Sequence, residues 1–342
     1  MAVSKLRINE SENIDVYIYT GGEAPEDVVN VIVDDNVVSI DDWAFYKCSN
    51  LTSITIPSSV KWIGDWTFEN CSNLINIILP DSITHIGQGA FKGCIKLKNI
   101  TVPNYITDIG AWAFYECSNL KSITIPSSVK SIGGYAFSGC KRLTSITIPN
   151  SVERIELCAF ADCKNLTSIT IPDNVSHIDM ATFAGCKSLT NVIIPDSVTY
   201  IGQSTFIRCK NLKSITIPDS VTDIGKDTFY GCSDLTVYTN NDYVINYCEE
   251  NEIPVKPLSE KPKNESYRKL NKLRINENKP TKYERSNYRY SAYFENGDIE
   301  ESDNKAKLIS KVRNYNGAAW VEDNRTNGII YSNRKQQEID NE

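Results

Sequence analysis

Cysteine carries most of the reactive side chains in this 342-residue chain, and nine of the eleven stand in one progression. They are Cys48, Cys71, Cys94, Cys117, Cys140, Cys163, Cys186, Cys209 and Cys232, each 23 residues after the last. A metal site wants thiols clustered as C-x2-C pairs, and the sequence has none. If each interval is one coil of chain, neighbouring thiols lie about 5 Å apart, within disulfide reach by distance. Side chains stacked in parallel do not offer the dihedral that a disulfide needs. Structural thiols are therefore expected, because free cysteine packs as a small buried hydrophobe. Cys158 and Cys248 lie off the progression, and Cys158 is expected to be the more exposed of the two.

The other candidates for chemistry dissolve into the same period. His85 and His177 occupy one repeat position four intervals apart, about 20 Å at strand spacing, so they cannot share a site. Asp173, Asp196 and Asp219 form one row, and Lys141, Lys164, Lys187 and Lys210 another, but any polar repeat position makes such a row of solvated edge charge. No phosphate loop, nucleophile elbow or paired-histidine zinc motif occurs. The expectation is a non-enzymatic protein with no cofactor and no metal.

The elements that position these residues follow from the repeat itself. Ile recurs at 40, 63, 86, 109, 132, 155, 178, 201 and 224, and Phe five residues after each, at 45, 68, 91, 114, 137, 160, 183, 206 and 229. A period of this length with apolar residues at fixed offsets is the signature of a leucine-rich solenoid. One copy, Leu120 to Arg142, shows the physics. Leu120, Ile123 and Ile125 line the core with Thr124 pointing out, at strand spacing. Pro126 has no N–H to donate and ends the ladder. Val129 and Ile132 bring a second side to the core, and Ala136, Phe137 and Cys140 close the coil through an expected short helical turn. Each copy buries roughly seven apolar side chains, at about 1.5–3 kcal/mol each, enough for a stacked coil but not an isolated one.

What differs between copies is the surface. Ser or Asn at 53, 76, 99, 122, 145, 168, 191 and 214, beside Thr or Ile two residues on, makes a flat polar strand face. Beside the Ala-Phe position, aromatics concentrate in the early copies: Trp43, Trp66, Trp112 and Tyr135, with Trp62 nearby and Gly89 as the one gap. Later copies carry Cys158, Ala181, Ser204 and Asp227 there. Tryptophan held outside a core is enriched at binding hot spots. Trp43, Trp62, Trp66, Trp112 and Tyr135 are thus candidate partner-binding residues; the alternative is that the rings only thicken the core.

The wording Leu-x-x-Ile-x-Ile-Pro-x-x-Val-x-x-Ile-Gly-x-x-Ala-Phe-x-x-Cys, as in 120–140, resembles the BspA-like (Treponema pallidum-type) leucine-rich repeat family over about 31–239. The resemblance implies a right-handed α/β solenoid with a parallel β-sheet, here nine coils, used as a protein- or matrix-binding surface. It also implies an adhesin-like role, since bacterial relatives are usually secreted adhesins.

The flanks complete the domain reading. Residues 1–30 read as an N-terminal cap with a strand at Ile14–Thr20, 31–239 as the solenoid, and 240–258 as a C-terminal cap with a short helix from Asn241 to Asn251. A basic linker follows at 259–287, then a small α+β module at 288–333 and a disordered tail at 334–342. In that module a helix is expected at 305–315. Charge separates the halves: 19 basic and 29 acidic residues over 1–258 give −10, while 17 and 14 over 259–342 give +3. Nucleic acid is therefore a possible partner only through the basic, Tyr-containing stretch 256–290. The string Lys5 to Glu10 recurs at 272–277, a candidate docking motif. The N-terminal ten residues lack the apolar run of a secretory signal and no stretch approaches a membrane span, so a cytoplasmic monomer binding a protein or glycan is expected.

Overall fold

The computed structural model describes residues 5–8 and 14–261, and in the C-terminal part the strands Tyr290–Phe294, Ile299–Ser302, Ala319–Asp323 and Gly328–Ser332. Contacts divide the chain into two units, Met1–Lys261 and Pro262–Glu342.

Each 23-residue interval is one coil with three sides, and each side has its own hydrogen-bond ladder. The first side is parallel β-structure, as expected, in four successive stretches: Asn30–Val33 with Ser53–Thr55, Asn99–Thr101 with Ser122–Thr124, Ser168–Thr170 with Asn191–Ile193, and Ser214–Thr216 with Thr236–Tyr238. Paired positions are one repeat apart, as in Ile123 opposite Ile100. In Ser53–Thr55, Asn99–Thr101 and Ser122–Thr124 the central Ile is buried and its neighbours face out, the alternation of a half-buried strand, while in Asn191–Ile193 and Thr236–Tyr238 Ile193 and Tyr238 are buried as well. Pro57 and its equivalents end each strand and accept a turn hydrogen bond from the residue three on, such as Val60 N–H at 3.2 Å.

The second side is also a ladder, made of two-residue strands such as Trp62–Ile63, His85–Ile86 and Asp108–Ile109, in which the Ile is buried. Two residues per coil carry too little periodicity to mark a strand in sequence.

The third side differs from expectation. The segment holding Ala136, Phe137 and Cys140 forms turns, not a helical turn. Tyr135 and Gly139 have φ of 59° and 77°, a left-handed conformation that no α-helix accommodates. The amides alternate in consequence. Tyr135, Phe137 and Gly139 donate across to Leu157, Ala159 and Ala161 of the next coil at 2.8–3.0 Å, while Ala136, Ser138 and Cys140 donate back three residues at 3.1 Å. Backbone polarity is thus satisfied along a side with neither helix nor strand.

Inside, identity from coil to coil produces stacks. The nine Phe rings from Phe45 to Phe229 lie with successive centroids 5.3–5.7 Å apart and planes within 11°. Tyr19 of the N-terminal cap closes one end at 5.0 Å, and Tyr247 of the C-terminal cap the other, edge-on at 6.5 Å. All eleven cysteines are free and buried. Each ladder thiol donates to a carbonyl of the preceding coil, as Cys140 Sγ does to Phe114 O at 3.3 Å. Cys158, expected to be the more exposed of the two off-ladder thiols, is buried as well and keeps 8% exposure.

At the N-terminal end, β1 (Lys5–Ile8) runs antiparallel to β2 (Ile14–Tyr19), which joins β3 (Asn30–Val33) in parallel. At the other end, α1 (Asp242–Glu250) is capped by Asn241, whose side chain accepts from Tyr243 and Val244 N–H. The same side chain donates to Asp219 O and Val221 O. Val255–Lys256 then pairs with the last coil. In the second unit the four strands make an antiparallel sheet in the order 299–302, 290–294, 319–323, 328–332. The helix expected at 305–315, the linker 262–287 and the tail 334–342 lie outside the described residues.

Candidate functional site

The aromatic column is built on the left-handed corner of the coil. Trp43, Trp66, Gly89, Trp112, Tyr135, Cys158, Ala181, Ser204 and Asp227 all have φ between 54° and 61°. Left-handed backbone costs an ordinary residue about 1–2 kcal/mol, so the surroundings must enforce it. They do so through the third ladder, where Trp43, Trp66 and Trp112 donate to Asp65, Gln88 and Gly134 of the next coil at 2.7–2.9 Å. The backbone is therefore fixed whatever the side chain, and the side chain is free to vary from Trp to Asp.

The structure divides the five candidates. Trp66, Trp112 and Tyr135 are half-buried and pack together: Trp112 stacks on Tyr135 at 5.6 Å, and Trp66 reaches Trp112 at 6.1 Å across the intervening coil. Gly89 explains that reach. The Trp66 ring lies over it, and a Cβ there would overlap the ring carbons. Trp43 and Trp62 stand apart at 48% and 47% exposure. Trp62 is on the second ladder, stacked on His85 with centroids 3.5 Å apart.

Residues not singled out from the sequence join the packed group. Lys92 Nζ lies 5.0 Å from the Trp66 ring and 5.9 Å from the Tyr115 ring, and is paired with Glu69 at 3.1 Å. Tyr115 meets Tyr135 edge-on at 6.4 Å. Tyr46, Glu69, Lys92 and Tyr115 form one column three residues after the Trp column, a spacing that could have flagged them. Buried Thr67 was also missed; its hydroxyl donates to Gly64 O and Asp41 O, joining two coils under the surface.

The electrostatics give no catalytic arrangement among the described residues. Burial lowers the His85 pKa, so the ring on Trp62 is neutral at pH 7. A hydrogen bond with Cys158 raises the Tyr135 phenol. Burial raises every thiol, to about 12 at Cys48 and about 11 at Cys232. His85 and His177 are held in separate ring contacts, with Trp62 and with Tyr200. Among the described residues no group of three metal-ligating side chains comes together, and no helix is long and apolar enough to cross a membrane.

A parallel solenoid whose coils stack at a 23-residue period defines a leucine-rich repeat scaffold. The model for the BspA type leucine rich repeat region matches residues 24–144 and 107–236, and the chain belongs to that family. Among solved structures, it is similar to a leucine-rich repeat protein from Bacteroides ovatus (25% identity, 68% of this chain and 84% of that one, TM-score 0.39). A leucine rich cell surface protein from Faecalibacterium prausnitzii is 28% identical over 68% and 86%, with a TM-score of 0.39. The leucine-rich repeat protein of T. pallidum is 24% identical over 74% and 95%, with a TM-score of 0.43. No curated protein matches. Membership of the family points to a protein-interaction scaffold or a surface binding protein.

Proposed function

We propose that this chain is a non-enzymatic scaffold and that a protein partner docks on its first five coils, with Trp43 and Trp62 as exposed anchors and the packed group of Trp66, Trp112 and Tyr135 as a second contact area in the same coils. The observation that carries the reading is the exposure of Trp43 and Trp62, close to half of each residue, beside a packed aromatic group confined to the same coils. Large rigid aromatics that keep their surface in the free protein have it available to bury in a complex. Residence in a reducing compartment belongs to the same reading, supported by eleven free thiols. The nucleic-acid alternative through 256–290 falls largely outside the described residues and gains no support here.

The test is capture from cell lysate with the wild-type chain and with Trp43→Ala/Trp62→Ala. Loss of specific protein bands with an unchanged thermal melt is expected. An unchanged set of captured proteins overturns the site. Retention that is competed by free sugars makes the partner a glycan instead.

A further inference from the structure

Trp62 ends a stack of rings. On the second ladder Ser39, Trp62 and His85 are paired neighbours in successive coils. His85 covers one face of the Trp62 ring, with centroids 3.5 Å apart and planes 16° from parallel. The other face looks back over Ser39, whose side chain is too short to cover it, and Trp62 keeps 47% of its surface. Next to Ser39 lies an open depression of about 740 Å³, lined by Thr20, Gly21, Asp34, Val38, Ser39 and Asp41. Ser39 thus borders both the bare ring face and the depression. We propose that together they receive the guanidinium of an arginine, presented by the partner in an exposed basic segment. That partner is the protein of the docking proposal above, on which this assignment rests.

Shape selects a planar group. Neighbouring coils are about 4.8 Å apart on a strand ladder, so a flat group can continue the stack where a ring at position 39 would lie. A guanidinium is flat and stacks on an aromatic face while its N–H groups point outward; an ammonium is compact and gains less from the ring. Val38, 59% exposed on the rim, offers an apolar edge to the methylene stem of an arginine.

Charge selects a cation. Residues 34–42 and 61–65 carry five aspartates against one lysine, Lys61. Two of those carboxylates line the depression, and each is held by one oxygen. Asp34 Oδ1 accepts from Asn36 N–H at 2.9 Å and from its Nδ2 at 2.8 Å. Asp41 Oδ2 accepts from Gly22 N–H at 2.7 Å and from the Tyr19 hydroxyl at 3.3 Å. The second oxygen of each is left, among the described residues, for a donor from outside. Arginine brings five such donors in one plane. Beneath Trp62 the stack does not repel it, because burial keeps His85 neutral at pH 7.

The experiment uses the full chain, isotope-labelled, and the peptide acetyl-Gly-Arg-Gly amide, followed through the indole N–H resonance of Trp62. Trp62→Phe identifies that resonance by its loss. The arginine peptide should shift it saturably; citrulline in place of arginine keeps the plane without the charge and should bind about fivefold more weakly. Lysine keeps the charge without the plane and should be weaker than arginine too. Ser39→Tyr puts a ring into the slot and should abolish the shift. Asp34→Asn/Asp41→Asn keeps the acceptors, removes the charges and should weaken binding about fivefold, which tests the site even where Ser39→Tyr does not fold. No shift in the wild type, equal binding of the citrulline or lysine peptide, or full binding by a folded Ser39→Tyr or by Asp34→Asn/Asp41→Asn overturns the assignment. Lysate capture separates this from the docking proposal. If Trp43→Ala/Trp62→Ala loses its protein bands but the arginine peptide does not bind the wild type, the docking surface stands and the arginine site falls. If the peptide binds at Trp62 but the captured proteins are unchanged in Trp43→Ala/Trp62→Ala, the arginine site stands and the docking surface falls.

Discussion

Gly89 shows how one residue decides the arrangement of the candidate surface. Its φ of 61° matches that of Ala181 at 55° in the same column, so backbone strain alone does not demand glycine. What Gly89 supplies is room for the Trp66 ring. Gly89→Ala adds both a left-handed Cβ and a displaced ring, and should cost about 2 kcal/mol or more, with a shift in tryptophan fluorescence; Ala181→Gly should stay within about 1 kcal/mol of wild type. Equal effects in denaturant melts would mean that the ring contact is unimportant. The thiols make a second residue-level prediction. Burial raises all eleven above their ordinary range, so the folded chain keeps protons that the unfolded chain releases. Their contribution is fully present below pH 9 and is lost as pH rises through 9 toward the folded values of about 11 to 12 at Cys232, Cys248 and Cys48. Each strongly shifted thiol then removes about 1.4 kcal/mol per pH unit, and the nine of the ladder with Cys248 together reach the total stability of an ordinary domain within about one unit. Cooperative unfolding near pH 10 is expected by circular dichroism, moved upward by Cys117→Ala/Cys140→Ala. The sequence displayed these thiols plainly because burial of one coil position repeats nine times. It gave no sign that the Trp column is left-handed, since residues from Trp to Asp occupy it and only Gly89 hints at φ.

At the level of elements, legibility followed the number of residues that share a task. Strands with Ile, Thr and Ile in alternation were readable; the two-residue ladder through Trp62–Ile63 was not, because one buried Ile per coil has no period of its own. The turn side was mistaken for helix because Ala, Phe and Cys at spacings of one and three fit a helical face. The inter-coil bonds that override it, such as Phe137 N–H to Ala159 O at 2.8 Å, depend on a neighbour that a single copy does not reveal. The C-terminal cap was readable from Asn241 and the apolar spacing after it. Its side chain both caps α1 and donates to two carbonyls of the last coil, so it couples helix to solenoid. Asn241→Ala should therefore cost more than the roughly 1 kcal/mol of an isolated cap. Hydrogen exchange should speed up in both 242–250 and 219–224; acceleration confined to the helix would show that the two donated bonds contribute nothing.

For the whole molecule, the repeat makes stability a sum over coils and their interfaces, and makes phase the one property that cannot be compromised. Residues 144–166 are one full interval, and removing them joins Leu143 to Thr167, restoring the wording Leu-Thr-Ser-Ile-Thr-Ile-Pro. All stacks of Phe, Cys and Ile re-form with one member fewer. The shortened chain should unfold in one transition with a urea dependence about a tenth shallower, in proportion to the surface lost. Removing 144–154 instead sets strand against turn at the junction, so its two halves cannot share a core, and a split or absent transition is expected. The same cuts separate scaffold from function. The deletion of 144–166 leaves Trp43, Trp62, Trp66, Trp112 and Tyr135 in place, so partner capture should survive it. Deletion of 52–74, also one interval and joining Leu51 to Ile75, keeps phase but takes Trp62 and Trp66 with it. If both shortened chains fold and both still capture the partner, binding lies on the repeated strand face that every coil shares; if only the first does, it lies in the early coils, where the copies differ.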